Sequence, residues 1–229
     1  MLLAIDTSSG TSVAVVDRDG GVLAEVTETD TRRHAEVIGE SIASCLDTAG
    51  VAPRDLSAVI AGMGPGPFTG LRVGIAAARA FAFGAGKPCL PLVSHDAVAF
   101  ERLGGLARAT GAAAEGSVPG PLLVVTDARR REVYWSAYTG LDAEGLPVRL
   151  GEPGLVRPGD LDEALRGSCG PEFVASATRT DPAETVVSAA ALGMLGETLY
   201  AHARPFAADV PLYLRSPDVT VPGAPKRVS

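Results

Sequence analysis

The chain has little of what would tie it to a membrane, to a disulfide framework or, through bulk charge, to a nucleic acid. Its three cysteines, Cys45, Cys89 and Cys169, are scattered over 229 residues with no CxxC pair. That argues against disulfide cross-linking and against a cysteine-based zinc site. No apolar run approaches the ~20 residues needed to span a bilayer. The amino-terminal MLLAIDTSS lacks the basic region and apolar core of a signal peptide, so the expected compartment is the cytoplasm. Basic residues are outnumbered, 20 Lys and Arg against 27 Asp and Glu, for a formal charge of -7. Phosphate neutralisation needs clustered Lys and Arg, so the balance argues against independent nucleic-acid binding and predicts that a partner carries any nucleic acid. Histidine is scarce as well. His34 opens a predicted helix, but position 38, one turn on, is Ile, and His95 and His202 lie elsewhere, so no metal-binding pair forms on that helix.

What is present is a 46% apolar sequence long enough for one large or two small domains. Its least ordinary run is GMGPGPFTGLRVG, Gly62 to Gly74. An apolar strand, Ala58 to Ala61, precedes it, and a helical pattern begins near Leu71. The spacing therefore predicts strand, tight glycine loop and helix, with Thr69 or Gly70 as the cap. Such a helix start either binds an anion or is simply a turn whose glycines permit close packing. It is not a P-loop, because no Lys-Ser or Lys-Thr pair follows the glycines.

Three antiparallel strands are expected over Leu2 to Asp6, Ser12 to Asp17 and Val22 to Thr29. A helix follows with Ala35, Ile38, Ile42 and Ala49 on one stripe, stopping at Gly50. After the glycine loop come a helix from Leu71 to Phe83, a strand over Pro88 to Val93, and a helix from His95 capped by Ser94. The run from Gly104 to Gly120 has little core-forming content and reads as a linker, giving domains at 1-104 and 105-229. The second half begins as a partial repeat: a strand over Leu122 to Thr126 ending at Asp127, a basic turn Arg129 to Arg131, a strand from Glu132 to Tyr138, and another near Val148. Helices are expected over Leu161 to Arg166 and from about Glu184 to His202. The tail PLYLRSP is extended between Pro211 and Pro217.

Several residues invite a functional reading. Asp6, Thr7 and Ser8 end the first strand, and Asp127 ends its counterpart. Each group faces a nucleotide cleft or forms a turn that satisfies its own backbone. Arg129 to Arg131 reads as a solvated turn or, with Tyr134 and Trp135 beside it, as a stacking surface for nucleic acid. Gly70, Gly74 and Ala78, with Ala77 beside them, share one helix face at four-residue spacing. That small face packs on its own sheet or stays free for another subunit. The second option places Gly74 outward, with Arg72 as a polar contact.

AIDTSS at Ala4 to Ser9, RRHAEVI at Arg32 to Ile38, the glycine loop, DARRREVYW at Asp127 to Trp135 and PLYLR at Pro211 to Arg215 together resemble the bacterial TsaB (YeaZ) family across nearly the whole chain. One departure is Pro67, where the family usually has serine. The resemblance implies an α/β actin-like ATPase (ASKHA) fold of two βββαβαβ domains, the second reduced. It implies a noncatalytic dimerisation subunit for threonylcarbamoyladenosine (t6A) modification at position 37 of tRNA, with no cofactor and no metal. The implied partners are the catalytic subunit TsaD and the ATPase TsaE, with tRNA met only indirectly and a homodimer formed when the protein is alone. Partner contacts are expected on the two first-domain helices, at Arg33, His34, Val37, Ser41, Gly70, Arg72, Gly74, Ala77 and Ala78. Asp6, Thr7, Ser8 and Asp127 are then a vestigial nucleotide-facing set. The competing class is an enzyme of the same superfamily, an ATP-dependent phosphotransferase or a metallopeptidase-like protein.

Overall fold

Strand β1 (Leu2–Asp6) is buried along its whole length, and the reason is helices on both faces of its sheet. Leu3 and Ile5 point to one side with Val13, Val15, Val59 and Ala61, while Leu2 and Ala4 point to the other with Ala14, Val16 and Ile60. A sheet covered on both faces needs near-continuous apolar strands rather than a simple alternation. The computed structural model describes residues 1–110 and 120–215. Within them β1 pairs antiparallel with β2 (Thr11–Asp17), which pairs antiparallel with β3 (Gly21–Glu28). On its other edge β1 runs parallel to β4 (Ala58–Gly62), and β4 runs parallel to β5 (Cys89–Leu92), giving the order β3-β2-β1-β4-β5.

Helices α1 (His34–Ala49) and α2 (Phe68–Ala85) cover one face. Each ends at a glycine in the left-handed region, Gly50 and Gly86, as the sequence led us to expect for Gly50. Helix α2 opens a turn earlier than the pattern suggested. Extended Pro67 is its N-cap, and the Pro67 carbonyl accepts the Leu71 N–H, so Thr69 and Gly70 lie inside the first turn instead of capping it.

The second sheet has the order β8-β7-β6-β9, from β6 (Leu122–Asp127), β7 (Val133–Leu141), β8 (Pro147–Val156) and the short parallel β9 (Thr178–Arg179). Helices α4 (Leu161–Cys169) and α5 (Pro171–Ser176) lie between β8 and β9 in the chain. The second half therefore runs βββααβα among the described residues, not the βββαβαβ expected of it. α3 (Ser94–Thr110) and α6 (Ala189–Ala201) lie between the sheets. They share one core with Leu2 and Ala4 of the first sheet and with Leu122, Val124 and Tyr138 of the second.

Two sequence boundaries move. The expected linker begins inside α3, which continues through Gly104 and Gly105 to Thr110. Leu103 is fully buried in the shared core, and the helix formers around the glycines offset a cost of roughly 1 kcal/mol each. The rest of that linker, 111–119, and Pro217 of the tail lie outside the described residues. The last helix starts at Ala189 rather than near Glu184. The Val187 N–H goes to Ser9 Oγ and Ser188 caps the Ala191 N–H, so this stretch is bonded to the β1–β2 turn and has no helical ladder of its own.

Candidate functional site

The ends of β1 and β4 meet at a buried carboxylate. Asp6 Oδ1 accepts the Ser8 N–H at 2.8 Å and the Ser8 hydroxyl at 2.5 Å. Asp6 Oδ2 accepts the Ser94 hydroxyl at 2.5 Å, and Ser94 Oγ in turn accepts the Gly64 N–H at 2.9 Å. Ser94 thus spends its hydroxyl on the glycine loop and Asp6 and does not cap α3. Burial pushes the Asp6 carboxyl up, and the Ser8 and Ser94 hydrogen bonds pull it back. Gly62 has to be glycine for this arrangement, since a Cβ there would collide with Asp6 Oδ2. Asp6 is 1% exposed and both its oxygens are engaged. It locks the glycine loop onto the sheet and does not face a nucleotide cleft, which corrects that expectation. Thr7, also 1% exposed, is excluded for the same reason.

Thr7 instead grips α2. Its hydroxyl donates to the Gly70 carbonyl at 2.7 Å and accepts the Gly74 N–H at 3.1 Å. A Cβ on Gly70 would stand 2.7 Å from the Thr7 carbonyl oxygen, and one on Gly74 would collide with Thr7 Oγ1. The small face of α2 is therefore the inward face, with Ala78 fully buried beside it. The outward placement of Gly74 is overturned, because the β1–β2 turn needs that space.

His34 opens α1 and turns inward. Its Nδ1 lies 2.8 Å from Thr11 Oγ1, and burial, then the nearby Arg129, hold its pKa below the ordinary value. Ser41 is buried too. Of the nine residues expected at a partner surface, His34, Ser41, Gly70, Gly74 and Ala78 face the interior, while Arg33 and Arg72 are exposed and Val37 and Ala77 half-buried. Among the described residues no group of three His, Cys, Asp or Glu could hold a metal ion.

The basic turn lies across a cleft from the glycine loop. Asp127 Oδ1 accepts the Arg129 N–H at 3.0 Å, and the Arg129 guanidinium pairs with Asp127 at 3.4 Å and with the Thr31 hydroxyl. Arg129, Arg130 and Arg131 all have φ in the left-handed region, at 64°, 54° and 63°, at a cost of roughly 1–2 kcal/mol per residue. On the glycine-loop side a cavity of about 400 Å³ is lined by Phe68, Thr69, Arg129, Tyr134, Tyr213 and Arg215. Next to it a wider one of about 660 Å³ includes Ser8, Ser9, Asp127 and Arg131. The structure thus brings Ser8 and Asp127 to one cleft and leaves Asp6 and Thr7 out of it.

Sequence reasoning missed how the tail contributes. The Leu212 N–H donates to the Met63 carbonyl, Tyr213 packs on Phe68 with ring centroids 4.7 Å apart, and Arg72 lies 4.0 Å over the same Phe68 ring. Arg215 pairs with Glu132. The PLYLR run was visible as a motif, but only the fold brings it to the cleft. Trp135, weighed as a stacking residue, is buried on the opposite face of β7 against Leu161, Leu165 and Phe173. Alternation along the strand gives the cleft Tyr134 instead.

The family model described as TsaD, tRNA N6-adenosine threonylcarbamoyltransferase, matches residues 5–146. An uncharacterised protein of Mycobacterium tuberculosis is 36% identical over 228 residues, covering 95% of this chain and 92% of that relative. The Escherichia coli protein named tRNA threonylcarbamoyladenosine biosynthesis protein TsaB is 34% identical over 137 residues, 60% of this chain and 54% of that one. Among solved structures, YeaZ from Pseudomonas aeruginosa matches with a TM-score of 0.69 and 26% identity, covering 93% of this chain and 99% of that chain. By its fold, its full-length relative and these named homologues, this chain belongs to the TsaB (YeaZ) family.

Proposed function

We propose that the chain is a noncatalytic subunit in the biosynthesis of threonylcarbamoyladenosine at position 37 of tRNA. In this reading it is a cytoplasmic scaffold that pairs with the catalytic subunit TsaD through α1 and α2, joins TsaE in the assembled complex, and self-associates when alone. Its two sheets are the two halves of an actin-like ATPase fold, divided after α3 rather than at residue 104, with the second half reduced. The names of its relatives support the pathway.

The observation that carries the scaffold role is the outer face of the helix pair. Along α2 the outward positions Ala76, Ala80, Phe83 and Gly84 are exposed, and Phe83 is 89% exposed. On α1 they are matched by Ala35, Gly39 and Ala43. A small, apolar stripe on two adjacent helices, ending in an exposed phenylalanine, is suited to close packing against helices of another subunit. Arg33, Val37, Arg72 and Ala77 border it. Asp6, the residue on which a phosphotransferase reading rests, is engaged by Ser8 and Ser94 inside the protein.

The test is Ala76→Arg combined with Phe83→Glu. Both positions are exposed, so stability should stay within about 0.5 kcal/mol of the parent. Copurification with the catalytic subunit, homodimer formation and reconstituted tRNA modification should all be lost together. A folded double variant that still binds the catalytic subunit with parental affinity would place the interface elsewhere.

A further inference from the structure

The chain is acidic overall, yet one face of it is not. Around the cleft beside the glycine loop stand Arg72, Arg129, Arg130, Arg131 and Arg215, against two carboxylates, Asp127 and Glu132. Arg130 and Arg131 are exposed there. The same cleft has an aromatic wall, the exposed Phe68 packed on the exposed Tyr213 at 4.7 Å, backed by Tyr134, which is itself buried. Guanidinium groups recognise phosphate oxygens in a fork, and aromatic rings give unpaired bases a platform on which to stack. Two features weigh against a magnesium-bound free nucleotide. Asp6 has both oxygens engaged inside the protein, and Asp127 is taken by the amide and guanidinium of Arg129. The cleft is therefore poor in carboxylate available to a cation, and although Arg129 and Arg215 are paired with Asp127 and Glu132, its lining keeps an excess of guanidinium over carboxylate that favours metal-free phosphodiesters.

We propose that this cleft is a direct contact surface for single-stranded RNA, with the arginines on consecutive phosphates and a base against the Tyr213–Phe68 pair. The inference departs from the expectation that net charge keeps this chain off RNA. The -7 total is an average over the molecule, whereas binding senses the local field within about a Debye length, ~10 Å at 0.1 M salt. It does not depend on the scaffold role, since the contact belongs to this chain alone.

The experiment is fluorescence anisotropy of the full-length chain with a labelled single-stranded RNA of about a dozen nucleotides at low salt, with magnesium-ATP as a separate titrant. The parent should bind with a Kd in the range of about 10⁻⁶ to 10⁻⁴ M, weakening as salt rises. Arg130→Glu combined with Arg131→Glu should weaken binding at least tenfold and flatten the salt dependence, while Tyr213→Ala should weaken it without changing the salt slope. Absence of RNA binding by the parent overturns the proposal, as does equal binding by a folded charge-reversed variant. Magnesium-ATP binding that competes with the RNA also overturns it, by making the cleft a nucleotide site. Photo-cross-linking of 4-thiouridine RNA to the unmutated chain decides the matter should the variant fail to fold. Adducts should map to the peptides containing Phe68 or Tyr213, and adducts found only elsewhere refute the assignment.

Discussion

The hydroxyl of Thr7 sits between the Gly70 carbonyl and the Gly74 amide, at 2.7 and 3.1 Å, bridging an i to i+4 pair of α2 from the end of β1. That contact fixes which face of α2 is turned inward and makes the glycine spacing a packing requirement. Gly74→Ala should therefore destabilise the fold by about 3 kcal/mol or more, because the added Cβ overlaps Thr7 Oγ1. Thr7→Ala removes that oxygen, so the double variant should be clearly less destabilised than the sum of the singles. Denaturant unfolding of the four proteins measures the coupling, and strict additivity would contradict the packing described.

Asp6 and Gly62 give a second test of the same kind. Asp6→Asn replaces an acceptor oxygen by a donor NH₂ facing the Ser8 or Ser94 hydroxyl, and a cost of roughly 1–3 kcal/mol is expected. Gly62→Ala should cost more, since its Cβ meets the carboxylate itself. An Asp6→Asn protein as stable as the parent would mean that the lock contributes nothing to the fold.

His95 predicts an acid-sensitive stability. It is fully buried, its two ring nitrogens lie 2.8 Å from Ser136 Oγ and 2.9 Å from Thr126 Oγ1, and burial, then Arg149, push its pKa down to about 3. Below about pH 6.5 the unfolded chain binds a proton that the folded chain refuses. This contribution is thus complete above pH 6.5 and falls as pH drops toward 3, by up to about 1.4 kcal/mol per pH unit. Asp6 and Asp96, whose pKa values are raised by burial, act in the opposite sense at the acid end of that window. His95→Gln should lower stability at neutral pH and flatten the slope between pH 6.5 and 4.5. Thermal unfolding across that range checks it, and an unchanged slope would assign the acid sensitivity to other groups.

A fourth expectation concerns Asp96, which holds α3 to the second sheet. It accepts from the Tyr138 hydroxyl at 2.7 Å and from Arg149 Nε and Nη2 at 3.1 and 2.7 Å. Arg149→Met leaves the carboxylate without its cation and should cost about 3 kcal/mol. Arg149→Met with Asp96→Asn should recover part of that loss in denaturant unfolding. No recovery would mean that the arginine acts through its packing alone.

Much of the architecture was legible from the residues. The apolar runs of β1, β2 and β4 and the left-handed glycine that ends α1 are local signals, and Gly50 stops α1 where the pattern does. The alternation over Glu132 to Tyr138 likewise marked β7. What failed were inferences about direction. Gly70, Gly74 and Ala78 announce that something comes close to α2, but four-residue spacing has no sign. Only the position of Thr7 decides that the visitor is the protein's own first turn. Ser94 carries a capping residue's chemistry, and its hydroxyl is taken up by a carboxylate 88 residues away. Likewise 129–131 reads as a basic turn, yet its place opposite Phe68 and beside Tyr213 depends on a tail more than 80 residues further on. Local sequence was enough for the long strands, the stop of α1 and the family, which follow from short-range patterns of size, polarity and backbone freedom. It was not enough for the end of α3 or for the short helix and strand at Pro171–Ser176 and Thr178–Arg179. The tertiary structure decided which small face is inside, which carboxylate is buried and where the positive charge gathers, because each depends on groups meeting across long stretches of chain.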